Sequence, residues 1–232
     1  STVRVGSFYC RGLNIDKIVI TEINAAYANQ TVEGGTNGVH LYLGTKDVEI
    51  GEIICKSATD GAYAVGIDRG TTNDADHWPE NIHIGRIIVR DNTQSVLSTN
   101  STVNLTIDEI IADSWDTYGA FGLTDDTNLR IGKIKAAGSP ATAGRDGIYV
   151  LIGVSASFGE VDISGSTQIG FRTFNCGRVD AEVIRSSGNG LDQVRIESPG
   201  TIGRIETGND GSGVGVLIQG SANGLHVGSI KD

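Results

Sequence analysis

The sequence predicts an all-β fold: a single-stranded right-handed parallel β-helix, a solenoid of about nine coils forming one domain over residues 1–232. Three observations predict it: a Gly-rich, Pro-poor composition, the lack of any helical period, and one short motif repeated along the chain. The 232 residues include 33 Gly and only 3 Pro, which is neither a collagen-like nor a disordered-linker composition. The glycines fall between runs rich in Ile and Val, so they read as turns between strands. No stretch of about ten residues repeats with a helical period.

The motif is apolar–(Gly/Asp)–x–apolar. It occurs first as Ile15-Asp16-Lys17-Ile18, Ile50-Gly51-Glu52-Ile53 and Ile84-Gly85-Arg86-Ile87. Ile107-Asp108-Glu109-Ile110, Ile131-Gly132-Lys133-Ile134 and Phe158-Gly159-Glu160-Val161 follow. The series ends with Cys176-Gly177-Arg178-Val179, Ile202-Gly203-Arg204-Ile205 and Val227-Gly228-Ser229-Ile230. Gly reaches positive φ without steric cost and Asp tolerates it better than most residues. A sharp bend with positive φ is therefore expected at Asp16, Gly51, Gly85, Asp108, Gly132, Gly159, Gly177, Gly203 and Gly228. The bends recur after 35, 34, 23, 24, 27, 18, 26 and 25 residues. That scatter fits a coil of about 22–25 residues that carries loop insertions.

A second strand precedes the bend in several coils. Alternation places Val39, Leu41 and Leu43 inside, and likewise Ile148, Val150, Ile152 and Val214, Val216, Ile218. Stacked coils would supply one another's backbone hydrogen bonds at a spacing of about 4.8 Å. The residue after each bend gives a column Lys17, Glu52, Arg86, Glu109, Lys133, Glu160, Arg178 and Arg204. Its first seven members alternate in sign, as expected of cross-coil pairs that fix register.

Composition also excludes some partners. The net charge is −10 and no Lys/Arg cluster exists, which argues against nucleic acid and anionic membrane surfaces. No apolar run approaches the roughly 20 residues that span a bilayer, so no membrane insertion is expected. The first eight residues lack the apolar core of a signal peptide. The absence of Met suggests an internal or processed piece of a longer chain. Cys10, Cys55 and Cys176 are odd in number and widely spaced, which suits structural thiols rather than a metal site.

The repeated coils resemble the parallel β-helix repeats of the pectate-lyase-like superfamily, and in character they are closest to phage tailspike and tail-fibre β-helices. That superfamily includes polysaccharide lyases, glycosidases, epimerases and tailspikes. The resemblance spans the chain at the level of fold, with Gly or Asp at a bend that is Asn-rich in many relatives. It implies a polysaccharide partner, a homotrimer, and an extracellular or virion-surface location. Lyases of this kind need a Lys, Arg or His base, often with carboxylate-bound calcium; no other cofactor is implied. The stretch GNDG at 208–211 is similar to one calcium-binding nonapeptide, but a single copy reads as a turn.

Two loops concentrate residues suited to sugar chemistry. RGTTNDADHWPE at 69–80 carries Asp74, Asp76, His77, Trp78 and Glu80 just after Asp68. The second cluster is Asp113, Trp115, Asp116 and Tyr118. Paired carboxylates can perform general acid/base hydrolysis, and aromatic faces can stack on sugars. Asp74, Asp76 and Asp116 are therefore the candidate catalytic residues. Trp78, Trp115, His77, Tyr42 and Asp68 are the candidate carbohydrate-binding residues, with the two loops lining one groove. The plainer alternative is that Asp and Asn serve turns while Trp covers the edge of the core. His40 and Tyr42 are expected to face outward, with Asp68 beside Tyr42 one coil later and Tyr149 and Arg172 on the same face.

No nucleophile elbow, P-loop, zinc spacing or dinucleotide fingerprint is present. Two readings follow. One is a tailspike-like β-helix that binds a polysaccharide, with cleavage by lyase or hydrolase chemistry left open. The other is a non-catalytic shaft of a phage fibre or surface adhesin. Fold alone does not separate them.

Overall fold

A computed structural model describes residues 3–5, 11–20, 23–24, 38–56, 58–59, 63–70, 75–90, 95–113, 115, 120–138, 146–208, 213–220 and 222–232. The chain is a parallel β-solenoid with two nine-stranded sheets. Sheet A stacks the short strands Val3–Val5, Val39–Tyr42, Tyr63–Asp68, Ser95–Asn100, Phe121–Thr124, Ile148–Leu151, Phe171–Phe174, Val194–Glu197 and Val216–Ile218 in chain order. Sheet B stacks the long strands Arg11–Ile20, Lys46–Lys56, Glu80–Arg90, Val103–Ala112, Leu129–Ala137, Ser155–Ser164, Arg178–Ser187, Gly200–Thr207 and Leu225–Lys231. A two-stranded sheet pairs Ile23–Asn24 with Ala58–Thr59. Seven rungs of each large sheet lie between two neighbours, so about seven turns are fully stacked where the sequence suggests nine coils. Among the described residues the one helical piece is a 3-10 turn at Ala75–His77.

The repeated motif marks a corner inside each sheet B strand. In Lys46–Lys56, Val48 and Ile50 point inward, Gly51 and Glu52 both stay out of the core, and Ile53 and Cys55 point inward again. Two successive outward residues slip the strand's alternation by one and turn the chain. The apolar members of the motif then stack into two buried columns. Ile50, Ile84, Ile107, Ile131 and Phe158 form one; Ile53, Ile87, Ile110, Ile134, Val161, Ile184 and Ile205 form the other.

None of the nine expected bend positions has positive φ. Gly is favoured there by crowding instead. An added Cβ at Gly132 would stand 2.6 Å from the Asp108 carbonyl oxygen, and at Gly85 2.6 Å from that of Gly51. The left-handed bend lies four residues upstream, at Gly12, Asp47, Asn81, Asn104 and Asn128, with φ between 55° and 67°. Three of these five positions are Asn. Asn81 Nδ2 donates to Asp47 Oδ1 at 2.9 Å, Asn104 to Asn81 at 2.9 Å, and Asn128 to Asn104 at 3.0 Å. Asn combines tolerance of left-handed backbone with an amide that both donates and accepts, so it can build this ladder.

Cys176-Gly177-Arg178-Val179, expected as a corner, is not one. Phe158 pairs with Ala181 and Glu160 with Val183, so Glu182, not Gly177, follows Gly159 in the column. The spacing there becomes 23 and 21 residues in place of 18 and 26. The charge column accordingly runs to Glu160 and is interrupted at Val183. Lys17 pairs with Glu52 at 2.7 Å, Arg86 with Glu52 at 3.7 Å and Arg86 with Glu109 at 3.1 Å. The Lys17 hydrogen bond holds the Glu52 carboxyl below its usual range. Further on, Arg185 takes over, reaching Glu160 at 3.4 Å and Glu206 at 2.8 Å. Arg178 pairs with Asp180 instead.

In sheet A, Val39 and Leu41, and Ile148 and Val150, are buried as the alternation requires. Leu43 and Ile152 are not, because the strands end before them: Leu43 turns with φ 48° and Ile152 is 49% exposed. Val214 lies outside its strand and is exposed, as is Ile218 on the last rung. Cys55 and Cys176 are buried free thiols, Cys176 in a turn rather than a strand, and burial pushes the Cys55 thiol up to about 12. Cys10 and positions 209–211 of the GNDG turn lie outside the described residues.

The corner from sheet A to sheet B contains a fully buried carboxyl, Asp126. Its oxygens accept from the Thr99 hydroxyl, the Thr102 amide at 2.9 Å and the Thr102 hydroxyl at 2.7 Å. Burial pushes it up to about 6, against the pull of those hydrogen bonds.

Two outcomes test these features. Gly132→Ala should lower the unfolding free energy by about 1–3 kcal/mol in denaturant titration, since a Cβ must displace backbone. Gly122→Ala, where an added Cβ meets nothing within 4 Å, should stay within about 0.5 kcal/mol of the parent. Equal effects would remove the crowding account. Asp126 binds its proton more tightly folded than unfolded, so its contribution to stability falls as pH rises from 3.8 to about 6. Asp126→Asn should lose that downward component of the stability–pH curve. An unchanged slope across this window would contradict the assignment.

Candidate functional site

Each sheet A strand turns two side chains outward, and register stacks them into lines along the solenoid. The central line runs His40, Gly66, Ser98, Gly122, Tyr149, Arg172 and Arg195. Beside it run Tyr42, Asp68, Asn100, Thr124, Leu151, Phe174 and Glu197. Small residues at Gly66, Ser98 and Gly122 leave the middle of the face low, while Tyr149 and Arg172 stand up after it. The result is a groove of about 350 Å³ whose lining includes Tyr63, Ser98, Thr124, Tyr149, Gln168 and Arg172.

Arg172 is the fixed point of this groove. Its Nη1 lies 3.5 Å from Asp146 Oδ2 and its Nε donates to Glu197 Oε1 at 3.3 Å. Its guanidinium carbon sits 4.9 Å from the Tyr149 ring centroid and 5.6 Å from that of Phe174. Two carboxylates and two rings thus hold one planar cation, a geometry that Lys could not reproduce. Asp146 enters from the corner that leads from sheet B to sheet A, where its other oxygen accepts from the Ile169 amide at 3.2 Å. Burial raises the Asp146 carboxyl, partly offset by that amide and by Arg172. Burial likewise raises the Tyr149 hydroxyl, which keeps it a neutral donor and acceptor.

At the other end of the same face, Tyr42 and Asp68 are neighbours in register, as expected. Asp68 is committed to structure: Oδ2 meets His40 Nε2 at 2.6 Å and Oδ1 accepts from the Gly70 amide at 2.7 Å. His40 is buried despite its outward phase, and its ring lies 4.8 Å from that of Tyr42. Tyr42 in turn packs on the Gly70 turn, where a Cβ would come within 2.6 Å of its ring.

The described parts of the two loops predicted to form one groove stand apart. Residues 75–79 lie on the connection from sheet A to sheet B, whereas Asp113 and Trp115 lie on one from sheet B to sheet A, so these residues occupy different corners of the coil. Asp76 is exposed and His77 and Trp78 half-buried at the first corner, where the His77 carbonyl accepts from Gly44. Trp115 is 1% exposed and belongs to the core, so it offers no ring face to a sugar. An added Cβ at Gly138 would lie 2.1 Å from its indole, showing how closely the next coil covers it. Asp74, Asp116 and Tyr118 lie outside the described residues. Among the described residues, no group of three or more His, Cys, Asp or Glu is placed to hold a metal ion.

Sequence reasoning found Tyr149 and Arg172 but missed Tyr63, Ser98, Thr124, Asp146 and Gln168. The signal that could have found Ser98 and Thr124 is the alignment of SVLSTN, FGLT, IYVL and FRTF as stacked strands; Asp146 and Gln168 lie between strands and carry no such signal. A larger trough of about 630 Å³ follows the glycine column of sheet B past Asp108, Gly132, Gly159 and Gly203. Its floor follows from the crowded corner, and the one ring beside it, Phe158, is buried.

No protein-family model matches the chain, and no curated protein or solved structure matches it significantly.

Arg172→Ala would leave Asp146 and Glu197 as close, poorly solvated carboxylates without their counter-charge. A stability loss of about 1–3 kcal/mol at neutral pH is expected, given the pair's partial exposure. The loss should shrink as pH falls, because Asp146, raised by burial, would lose the Arg172 charge that offsets the shift and so bind its proton more readily in the folded variant. A loss independent of pH would show that Arg172 acts through packing alone.

Proposed function

We propose that this solenoid binds an extended polysaccharide along the outward face of sheet A, with the sugar chain parallel to the stacking axis. The observation that carries the reading is the groove from Tyr63 to Arg172, which crosses five successive rungs and combines a low floor with tyrosine, hydroxyl and amide groups. Five rungs at about 4.8 Å give a track of about 19 Å, long enough for several sugar rings. Tyrosine rings offer apolar faces to the faces of sugars, and Ser98, Thr124 and Gln168 offer donors and acceptors to hydroxyls. Small, largely pre-formed polar and aromatic clefts of this kind are the usual form of a ligand site.

On this reading the chain stands with the tailspike and tail-fibre β-helices of the pectate-lyase-like superfamily. It works at a virion or cell surface and assembles as a homotrimer. Cleavage would draw on carboxylates beside the bound chain; Asp76 becomes relevant where a sugar chain turns over the corner between the sheets. The second reading, a non-catalytic shaft, is favoured by the asparagine ladder and ion pairs that stiffen the coil stack without serving any cleft.

The test is titration with a panel of oligosaccharides, together with reducing-end and unsaturated-product assays. Binding by at least one glycan is expected, weakened about 3- to 10-fold by Tyr149→Ala. A panel without any binding or cleavage would overturn the carbohydrate reading in favour of the shaft.

A further inference from the structure

The charges of the sheet A groove bear on which glycans it accepts. Among the described residues that line it, Arg172 is the one cation, and it already faces two carboxylates, Asp146 at 3.5 Å and Glu197 at 3.3 Å. Its faces are covered as well, by Tyr149 at 4.9 Å and Phe174 at 5.6 Å. The next arginine in the line, Arg195, is held by Asp192, with Nε at 2.8 Å and Nη2 at 2.5 Å. His40, at the opposite end, is buried against Asp68. A uronate or sulfate entering the groove would therefore have to displace a carboxylate already in place. It would also approach a chain of net charge −10.

The carboxylates are equally committed. Asp146 is 7% exposed and Glu197 10% exposed at the side chain, and both face Arg172. Asp146 also accepts from the Ile169 amide. One guanidinium facing two carboxylates leaves one negative charge over, but neither carboxylate exposes more than 10% of its side chain to receive an amino-sugar cation. Among the described residues that line the groove, what remains open to a ligand is neutral: two tyrosines, the Ser98 and Thr124 hydroxyls and the Gln168 amide.

We infer that the glycan bound here is an uncharged chain of hexose type, selected by stacking and hydroxyl hydrogen bonds, with Arg172 acting as a scaffold that orients Tyr149. This inference rests on the polysaccharide reading. It assigns Arg172 a positioning role, distinct from the anion-receiving role that an exposed arginine in a sugar groove would have. Selectivity against acidic chains then comes from occupied charge, a form of specificity achieved by making the wrong ligand costly.

The experiment compares neutral gluco-, manno- and galacto-oligosaccharides with oligogalacturonate, a sulfated oligosaccharide and a glucosamine oligomer. Affinities are measured by calorimetry on the full chain at low and physiological salt. A neutral glycan should bind at least ten-fold tighter than any charged one, with little salt dependence, and Tyr149→Ala should weaken it. Glu197→Gln, which keeps shape while releasing one side of the Arg172 guanidinium, should raise the ratio of oligogalacturonate to neutral-glycan affinity several-fold. Tightest binding of an acidic or cationic glycan, lost in Tyr149→Ala, would overturn the neutral assignment and keep the polysaccharide reading. An absence of binding to every glycan would overturn both.

Discussion

Coil lies on coil in fixed register, and at one corner the carbonyl oxygen of each coil comes to within 2.2–2.6 Å of where the next Cβ would stand at Gly51, Gly85, Gly132 and Gly159. That close approach sets the rest of the structure. The pairing skips the corner residue itself but keeps its register across the bend, so both halves of each sheet B strand pair with the same neighbours. The isoleucines on either side of the bend then superpose into two buried columns that face the buried side chains of sheet A in one hydrophobic core. Polar ladders outside the core follow the same register: asparagine amides at one corner, alternating charges beside the glycines. Each such contact is individually small, about 1 kcal/mol or less, but all of them favour one alignment of coil on coil.

Register also decides what the surface can do. A residue on a strand has its nearest neighbours at the same phase one coil away, so sites are built along the axis rather than within a coil. This is why Tyr149, Arg172 and Glu197, far apart in sequence, share one cluster. It is also why Trp78 and Trp115, each in a stretch attractive by composition, do not line one groove: they stand on different connections between the sheets, and Trp115 closes the core. The long trough over sheet B shows the converse. It is the larger depression, yet it follows from the glycine corner and has no exposed ring beside it.

The architecture was legible because the corner motif is short and nearly invariant in its apolar positions. Two successive outward residues between Ile and Ile remain visible through insertions of any length. What the motif could not disclose was the reason for its glycine. Composition at one position cannot distinguish a residue needed for positive φ from one needed for close packing. The actual left-handed bend was harder to see, since Gly12, Asp47, Asn81, Asn104 and Asn128 look like ordinary loop residues until the register is known. Cys176-Gly177-Arg178-Val179 fits the pattern without being a corner, whereas the true rung carries Glu182 and breaks it. The site was only half legible for the same reason. Tyr149 and Arg172 stand on strands whose phase is clear. Tyr63, Asp146 and Gln168 reach the groove from a strand edge and from corners, where alternation gives no phase.

The most direct measurement is a backbone amide chemical-shift titration of the chain with a neutral oligosaccharide. The account predicts perturbations concentrated at Gly66, Ser98, Gly122, Tyr149 and Arg172, along one line of sheet A. Perturbations confined to Gly132, Gly159 and Gly203 in the sheet B trough, or to the Asp76–Trp78 corner, would contradict it.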